Sequence, residues 1–274
     1  MQLANRVCLI AGASGAIGDA IARRFQEEGA FLALTYFSRK QQQRESETGR
    51  DNEKTLQIPL DIRVREHVAE VTKRVTDRFG RIDVLVNCTG ILGPIGPTSA
   101  VVEDDWVHAV ETNLFGSFYL TRAVLPVMLA QSMGKIIHFS GGGAAYARPY
   151  YSAYSTSKAA LVRFTESLGE ELREAHIDVN TIAPGAVNSR MWDQVRALRD
   201  PDPKTVEEIR KMEETGGVAP DRAADLAVFL ASDRSNGLTG RLISAVWDDW
   251  RALDRRIPEV MNSDAGTLRR VPLR

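Results

Sequence analysis

Short, nearly continuous apolar runs alternate along this chain with longer segments whose apolar residues recur every three and four positions. Arg6–Ala11, Phe31–Tyr36, Thr55–Leu60, Asp83–Cys88, Lys135–Ser140, Asp178–Ala183 and Arg241–Trp247 read as seven strands. Between them, Ala16–Glu28, Val64–Phe79, Glu103–Asn113, Ser117–Gln131, Ser152–Glu174 and Asp221–Ala231 carry helical spacing. Strands separated by helices in this way are parallel and joined by right-handed crossovers. Strands apolar at successive positions need helices over both faces of their sheet. The pattern predicts an α/β chain with one doubly wound domain over residues 1–250, built on a seven-stranded parallel sheet. No internal repeat and no linker rich in Pro, Gly or Ser divides it.

Three stretches break the rhythm. Ser38–Lys54 is polar and reads as a surface excursion, with a short disordered segment as the alternative. Residues 190–217 are the most charged and least regular part of the second half. The tail from Arg251 to Arg274 holds six arginines and little periodicity. It reads as an arm that packs on another subunit, as a frayed end, or, in a monomer, as an arm folded over its own surface.

Composition narrows the partners. The chain has 274 residues, 43% of them apolar, and a formal net charge of −1 without a basic stripe. That argues against nucleic acid or an anionic membrane as the main partner. No apolar run approaches the roughly 18 residues needed to span a bilayer, and Met1–Arg6 is too short and polar to lead a secretory signal. A cytoplasmic location is therefore expected. Cys8 and Cys88 lie inside strand-like runs and read as free, buried thiols. With four scattered histidines, no metal site is expected.

Two motifs carry chemistry. Tyr154 and Lys158 are four residues apart on a segment rich in helix formers, so both side chains share a face. A cation one turn from a phenol stabilises its phenolate, and the pair suits proton transfer. At the chain's start, the first strand runs into Gly12-Ala13-Ser14-Gly15-Ala16-Ile17-Gly18 and then a helix. Gly12 permits a tight turn, Ser14 to Ala16 let backbone approach a pyrophosphate, and Gly18 allows close helix packing at an N-terminus that attracts anions.

These motifs, with Asn87-Cys88-Thr89-Gly90, Asn113 in Thr112-Asn113-Leu114-Phe115-Gly116, and Pro184-Gly185-Ala186-Val187, occur in order over roughly residues 3 to 250. Together they resemble the short-chain dehydrogenase/reductase (SDR) family of the classical type, whose fold is of the Rossmann type. The resemblance implies an NAD or NADP dinucleotide. Gly12, Ser14, Ile17 and Gly18 would line its pyrophosphate, Asp61 would meet the adenine, and Asn87 and Gly90 would flank the adenosine ribose. Asp61 reads equally well as a helix N-cap. Tyr154 and Lys158 would hold the nicotinamide ribose, and Val187 and Ser189, after Pro184-Gly185, would position the carboxamide. In NAD-preferring relatives a carboxylate closes the second strand for the ribose 2′-hydroxyl. Here that place falls at Tyr36, and Ser38, Arg39 and Lys40 follow, a hydroxyl and two cations that suit a 2′-phosphate. NADP(H) is favoured over NAD(H), although Gly15 stands where NADP-using relatives often carry a basic residue.

The implied reaction is hydride transfer between nicotinamide and an alcohol or ketone, with Tyr154 as general acid/base, Lys158 lowering its pKa and Asn113 holding a water that links Lys158 to solvent. The serine that polarises the substrate oxygen in relatives is absent, because its place is Gly141 in Ser140-Gly141-Gly142-Gly143. Ser140 sits one residue early and would ordinarily face away, although three glycines can re-aim it. Gly141 keeps two other functions open: a lyase, isomerase or cyclase without net redox, and a non-catalytic dinucleotide-binding protein. Tyr146, Arg148, Tyr150 and Tyr151, with Met191, Trp192, Val195, Arg190, Asp193 and Arg196, are expected to line a pocket suited to a polyhydroxylated or carboxylated substrate. Trp247 and Trp250 are expected to cap that pocket or to bury an interface. Family members commonly associate through two-fold contacts, so a homodimer or homotetramer is implied.

Overall fold

The computed structural model describes residues 1–37 and 52–273. Its strands are β1 (Val7–Ala11), β2 (Phe31–Tyr36), β3 (Thr55–Pro59), β4 (Val84–Asn87), β5 (Gly134–Phe139), β6 (Ile177–Ala183) and β7 (Arg241–Ser244). They form one sheet in the order β3-β2-β1-β4-β5-β6-β7, and every pair is parallel. Helices α1 (Ala16–Glu27), α2 (Arg65–Phe79), α3 (Glu103–Val110), α4 (Gly116–Gln131), α5 (Ser152–Glu171), α6 (Arg190–Arg196), α7 (Pro203–Thr215), α8 (Pro220–Ala231) and α9 (Ile257–Met261) connect or follow them.

The continuous apolar character of the strands is explained by β1. Cys8 and Ile10 point to the face where α1 supplies Ile21 and Phe25 and α8 supplies Phe229. Val7, Leu9 and Ala11 point the other way, to Val71 and Val75 of α2 and Leu120 and Val124 of α4. Alternate side chains leave a strand on opposite sides, so a sheet covered twice needs apolar residues at every position. The strand order reverses between β1 and β4, where Ala11 stands beside Asn87. The crevice beyond the carboxyl ends of the strands at such a reversal is where open α/β sheets bind ligands.

Several boundaries differ from the expectation. The helices read as Glu103–Asn113 and Ser117–Gln131 are one continuous rod, because Glu111–Phe115 forms a π-helical turn rather than a break. By length and composition that rod, Glu103–Gln131, is apolar enough to cross a membrane. Here its apolar positions Leu120, Val124 and Met128 are spent on the sheet. Residues 190–217 are more regular than expected and hold α6 and α7. The side chain of Asp202 caps α7, accepting hydrogen bonds from the N–H groups of Lys204 and Thr205 at 3.0 and 3.3 Å. Pro203 opens the helix, and Gly216, at φ 71°, closes it.

The tail is neither frayed nor free of its own domain. Leu242 of the edge strand donates to the carbonyl of Gly266 at 2.7 Å. Arg241 Nη2 reaches the carbonyls of Val260, Met261 and Ser263 at 3.0 to 3.3 Å. Leu268 N–H donates to Glu166 at 2.6 Å. Trp250 is buried with its ring 6.0 Å from that of Phe229, whereas Trp247 is 84% exposed. One tryptophan thus serves the core and the other lies on the surface.

Candidate active site

Helix α5 starts just beyond the carboxyl end of β5 and turns Tyr154 and Lys158 inward, where they are 7% and 3% exposed. Lys158 Nζ donates to the carbonyl of Phe139 at 2.9 Å and lies 5.9 Å from the centre of the Tyr154 ring. The π-helical turn brings Asn113 to the same place, fully buried. Asn113 Oδ1 accepts from the N–H of Ile91, while Nδ2 donates to the Ile91 carbonyl and to Ser157 Oγ, each at 2.9 Å. Ser157 Oγ donates in turn to the Tyr154 carbonyl at 2.8 Å. Asn87 Nδ2 donates to Ser117 Oγ at 2.8 Å, and that hydroxyl donates to the Asn113 carbonyl at 2.6 Å. Every donor and acceptor of the Asn113 amide is thus engaged in setting the height of α5 against the loop after β4. Gly90 runs between the partners: a Cβ there would lie 3.2 Å from both Asn113 Oδ1 and Lys158 Nζ.

Burial dominates the electrostatics. It pushes the Tyr154 phenol up to about 12, opposed by the charge of Arg148. It pulls the Lys158 ammonium down to about 8. Beneath them His138, whose Nδ1 has no partner among the described residues, is driven down to about 3 and stays neutral.

The turn after β1 faces this centre across the reversal of strand order. Gly12 has φ 77°, and Gly18 packs so closely that a Cβ would lie 2.3 Å from the Gly12 carbonyl. Gly15 is the N-cap of α1 and offers no side chain to the first-turn N–H groups. On the far side, α6 and α7 close over Tyr154. Leu92, Tyr151, Tyr154 and Val195 form an apolar cluster with Trp192 and Ile209 packed against it. Gln194 Nε2 donates to the Gly93 carbonyl at 2.6 Å, and Arg148 pairs with Glu208 of α7 at 2.5 Å.

A family model described as enoyl-(acyl carrier protein) reductase matches residues 12–245. The oxidoreductase UcpA of Escherichia coli strain K12 is 35% identical over 243 residues, covering 87% of this chain and 92% of that one. The 3-oxoacyl-[acyl-carrier-protein] reductase FabG of Thermotoga maritima is 31% identical over 248 residues, covering 89% and 97%. Among solved structures, levodione reductase superposes with a TM-score of 0.78 at 28% identity, covering 88% of this chain and 96% of that one. An actinorhodin polyketide ketoreductase with NADPH gives 0.77 at 28%, covering 88% and 95%. The chain belongs to the classical short-chain dehydrogenase/reductase family. It is an NAD(P)-dependent SDR oxidoreductase acting on CH–OH/C=O groups.

In this SDR the residues around the reversal fit a dinucleotide. The cradle between Gly12 and Gly18 is one that a Cβ would fill, and α1 presents its N-terminus to it without a capping side chain. Asn87 and Gly90 border the crevice. Asp61 is engaged by Arg63, whose Nε and Nη2 donate to its two oxygens at 3.0 and 2.7 Å and hold its carboxyl below the usual range. The Arg63 N–H also donates to Oδ1 at 3.1 Å, so Asp61 caps its own turn and not the first turn of α2. After β6, Pro184 is followed by Gly185 at φ 81°, Val187 is buried, and Ser189 is the N-cap of α6. Ser38, Arg39 and Lys40 lie outside the described residues.

Gly141 stands at the place where the resemblance implies a serine. A Cβ at Gly141 would stand 2.1 Å from the Tyr154 hydroxyl and 2.6 Å from Cζ. The tyrosine thus occupies the space of the missing side chain. Ser140 continues the ladder through its N–H to the Ile182 carbonyl at 2.9 Å, and no hydrogen bond joins its hydroxyl to Tyr154 among the described residues. Of the expected pocket residues, Tyr151 is buried, Tyr146 and Tyr150 are exposed, and Arg196 pairs with Asp193 and Asn188. Arg190 reaches back instead to the Ser14 carbonyl at 3.0 Å. The residues that sequence reasoning passed over are Arg63, Glu208 and Gln194. The spacing of Glu208 and Gln194 carries no signal, because each meets a group distant in the chain, whereas Arg63 stands two residues after Asp61 and its pairing there was open to sequence reading.

Proposed function

We propose that this SDR reduces a ketone or oxidises the matching alcohol with Tyr154 as general acid/base. The observation that carries the reading is the buried Tyr154, Lys158 and Asn113 constellation at the reversal of strand order. A dinucleotide, when bound, supplies or accepts the hydride. The phenol passes the matching proton to or from the substrate oxygen, and Lys158 completes the electrostatics of the phenolate and holds the nicotinamide ribose. Gly12, Ser14, Ile17 and Gly18 bind the pyrophosphate, Asp61 the adenine, Asn87 and Gly90 the adenosine ribose, and Pro184, Gly185, Val187 and Ser189 the carboxamide. The domain spans residues 1–250 with 251–274 as its appendage.

NADP(H) is favoured because β2 ends at Tyr36 without a carboxylate, and Phe37 follows. The apolar cluster under α6 and α7, with Arg148 at its edge, supports a substrate with an apolar body and a polar group. A two-fold homo-oligomer is supported by the exposed Phe115, Phe118 and Leu129 along the rod of α3 and α4. A second reading, proton transfer by Tyr154 without net redox, is favoured by Gly141 alone.

The test is a fluorescence titration with NADPH and NADH, followed by turnover of ethyl acetoacetate, cyclohexanone and glyceraldehyde by wild type and Tyr154→Phe. The expected result is tighter NADPH binding by tenfold or more, about 1.4 kcal/mol, and a loss of at least about 10³-fold in kcat for Tyr154→Phe. Undiminished turnover by Tyr154→Phe would remove the mechanism. Turnover without oxidation of NADPH would move the protein to the second reading.

A further inference from the structure

The glycine run that leaves position 141 without a hydroxyl is covered by one cation. Arg148 Nη1 lies 3.3 Å from the point where a Cβ on Gly142 would stand, and its own Cβ lies 3.1 Å from the corresponding point on Gly143. The guanidinium is stacked on Tyr151, 3.7 Å from the ring centre, which fixes its plane. Its side chain is 12% exposed. Nη2 is held by Glu208 of α7, while Nε and Nη1 have no acceptor among the described residues. A largely desolvated cation with unused donors therefore stands on the loop against which the Tyr154 hydroxyl packs. In such surroundings a charge acts on a neighbouring oxygen far more strongly than it would in water.

Three nearby groups do not take the place of the missing hydroxyl. Lys158 is turned to the Phe139 carbonyl, His138 is neutral, and Ser140 makes no hydrogen bond to Tyr154. We propose that Arg148 takes over the task of the missing hydroxyl, stabilising negative charge on the Tyr154 oxygen and on the substrate oxygen hydrogen-bonded to it. Glu208, by neutralising part of that charge, sets its strength and ties it to the closure of α7. The assignment rests on Tyr154 being the acid/base group.

The experiment is an alkaline titration by ¹⁹F NMR of the full chain labelled with 3-fluorotyrosine, whose phenol ionises at lower pH than tyrosine. The Tyr154 line is identified by its loss in Tyr154→Phe. Arg148→Met is expected to raise the Tyr154 midpoint by about half a pH unit to one unit, and Glu208→Gln to lower it by a similar or smaller amount. Arg148→Lys, which keeps the charge while losing the stacked plane, is expected to stay within about 0.3 of wild type. That result separates charge from lost packing. A midpoint unmoved in both Arg148→Met and Glu208→Gln overturns the assignment. Full turnover by Tyr154→Phe overturns the reading beneath it, so the two failures are distinguishable.

Discussion

At the residue scale the informative position is Gly141. Family resemblance alone suggests that restoring serine there would improve the enzyme, but the tyrosine hydroxyl already fills the space. Gly141→Ser is therefore expected to displace Tyr154, lowering stability by about 1–3 kcal/mol and kcat/KM by at least about tenfold. Thermal unfolding and steady-state kinetics check both, and an unchanged melting point with faster turnover would contradict the packing. Lys158 has a different cost. Its pKa is depressed in the fold, to about 8 from the ordinary 10.5, so at neutral pH the buried charge destabilises the native state. Between those two values the unfolded chain binds the extra proton, and stability rises with pH. Lys158→Met is expected to gain about 1–2 kcal/mol at pH 7, after the lost Phe139 hydrogen bond is subtracted. The gain should vanish above the unfolded pKa, as denaturant titrations at several pH values would show.

At the element scale α6 and α7 decide access to Tyr154. Both ends of α7 were legible in the sequence, in Asp202-Pro203 and in Gly216, yet the density of charge masked the helix. Its exposed face is laced with local pairs, Arg210 with Glu207 and Glu214, that mimic an irregular polar stretch. Removing the cap by Asp202→Ala is expected to cost about 1 kcal/mol, confined to that helix. Hydrogen exchange should quicken across 203–215, and KM should rise more than kcat falls. Exchange at a wild-type rate there would show that contacts such as Arg148–Glu208, not the cap, hold the segment. The π-helical turn was partly legible: Asn113 was expected at an interruption, but the chain passes through it without breaking the rod. A wide turn leaves no mark in hydrophobic periodicity, because the apolar stripe continues on either side.

For the whole molecule, the tail folds over the surface of its own domain, one of the arrangements expected of it. Its six arginines left open an arm on another subunit, but three of them, Arg251, Arg256 and Arg269, pair with Asp225, with Glu259, and with Glu166 and Asp264 of the same chain. The tail also covers the outer edge of β7, where Leu242 would otherwise present an unpaired N–H. Deleting residues 262–274 is expected to lower the melting point by several degrees and to increase association. Calorimetry and light scattering measure the two effects, and an unaltered monomer or oligomer distribution would show that the edge needs no cover.

The number of strands, their parallel direction and the two-sided burial were determined by the sequence itself. Apolar periodicity is a local property, and only one kind of sheet satisfies apolar residues at every strand position. The glycine turn and the Tyr154/Lys158 pair were equally legible, since each is set by spacing within one turn or one helix. What surrounds the phenol was decided only by the tertiary structure. Gly141 packs on the Tyr154 hydroxyl, and Arg148 reaches Glu208 from beside Gly142 and Gly143, because β5, the segment before α5 and α7 converge beyond the sheet. A packing distance between groups 60 residues apart leaves no trace in local periodicity.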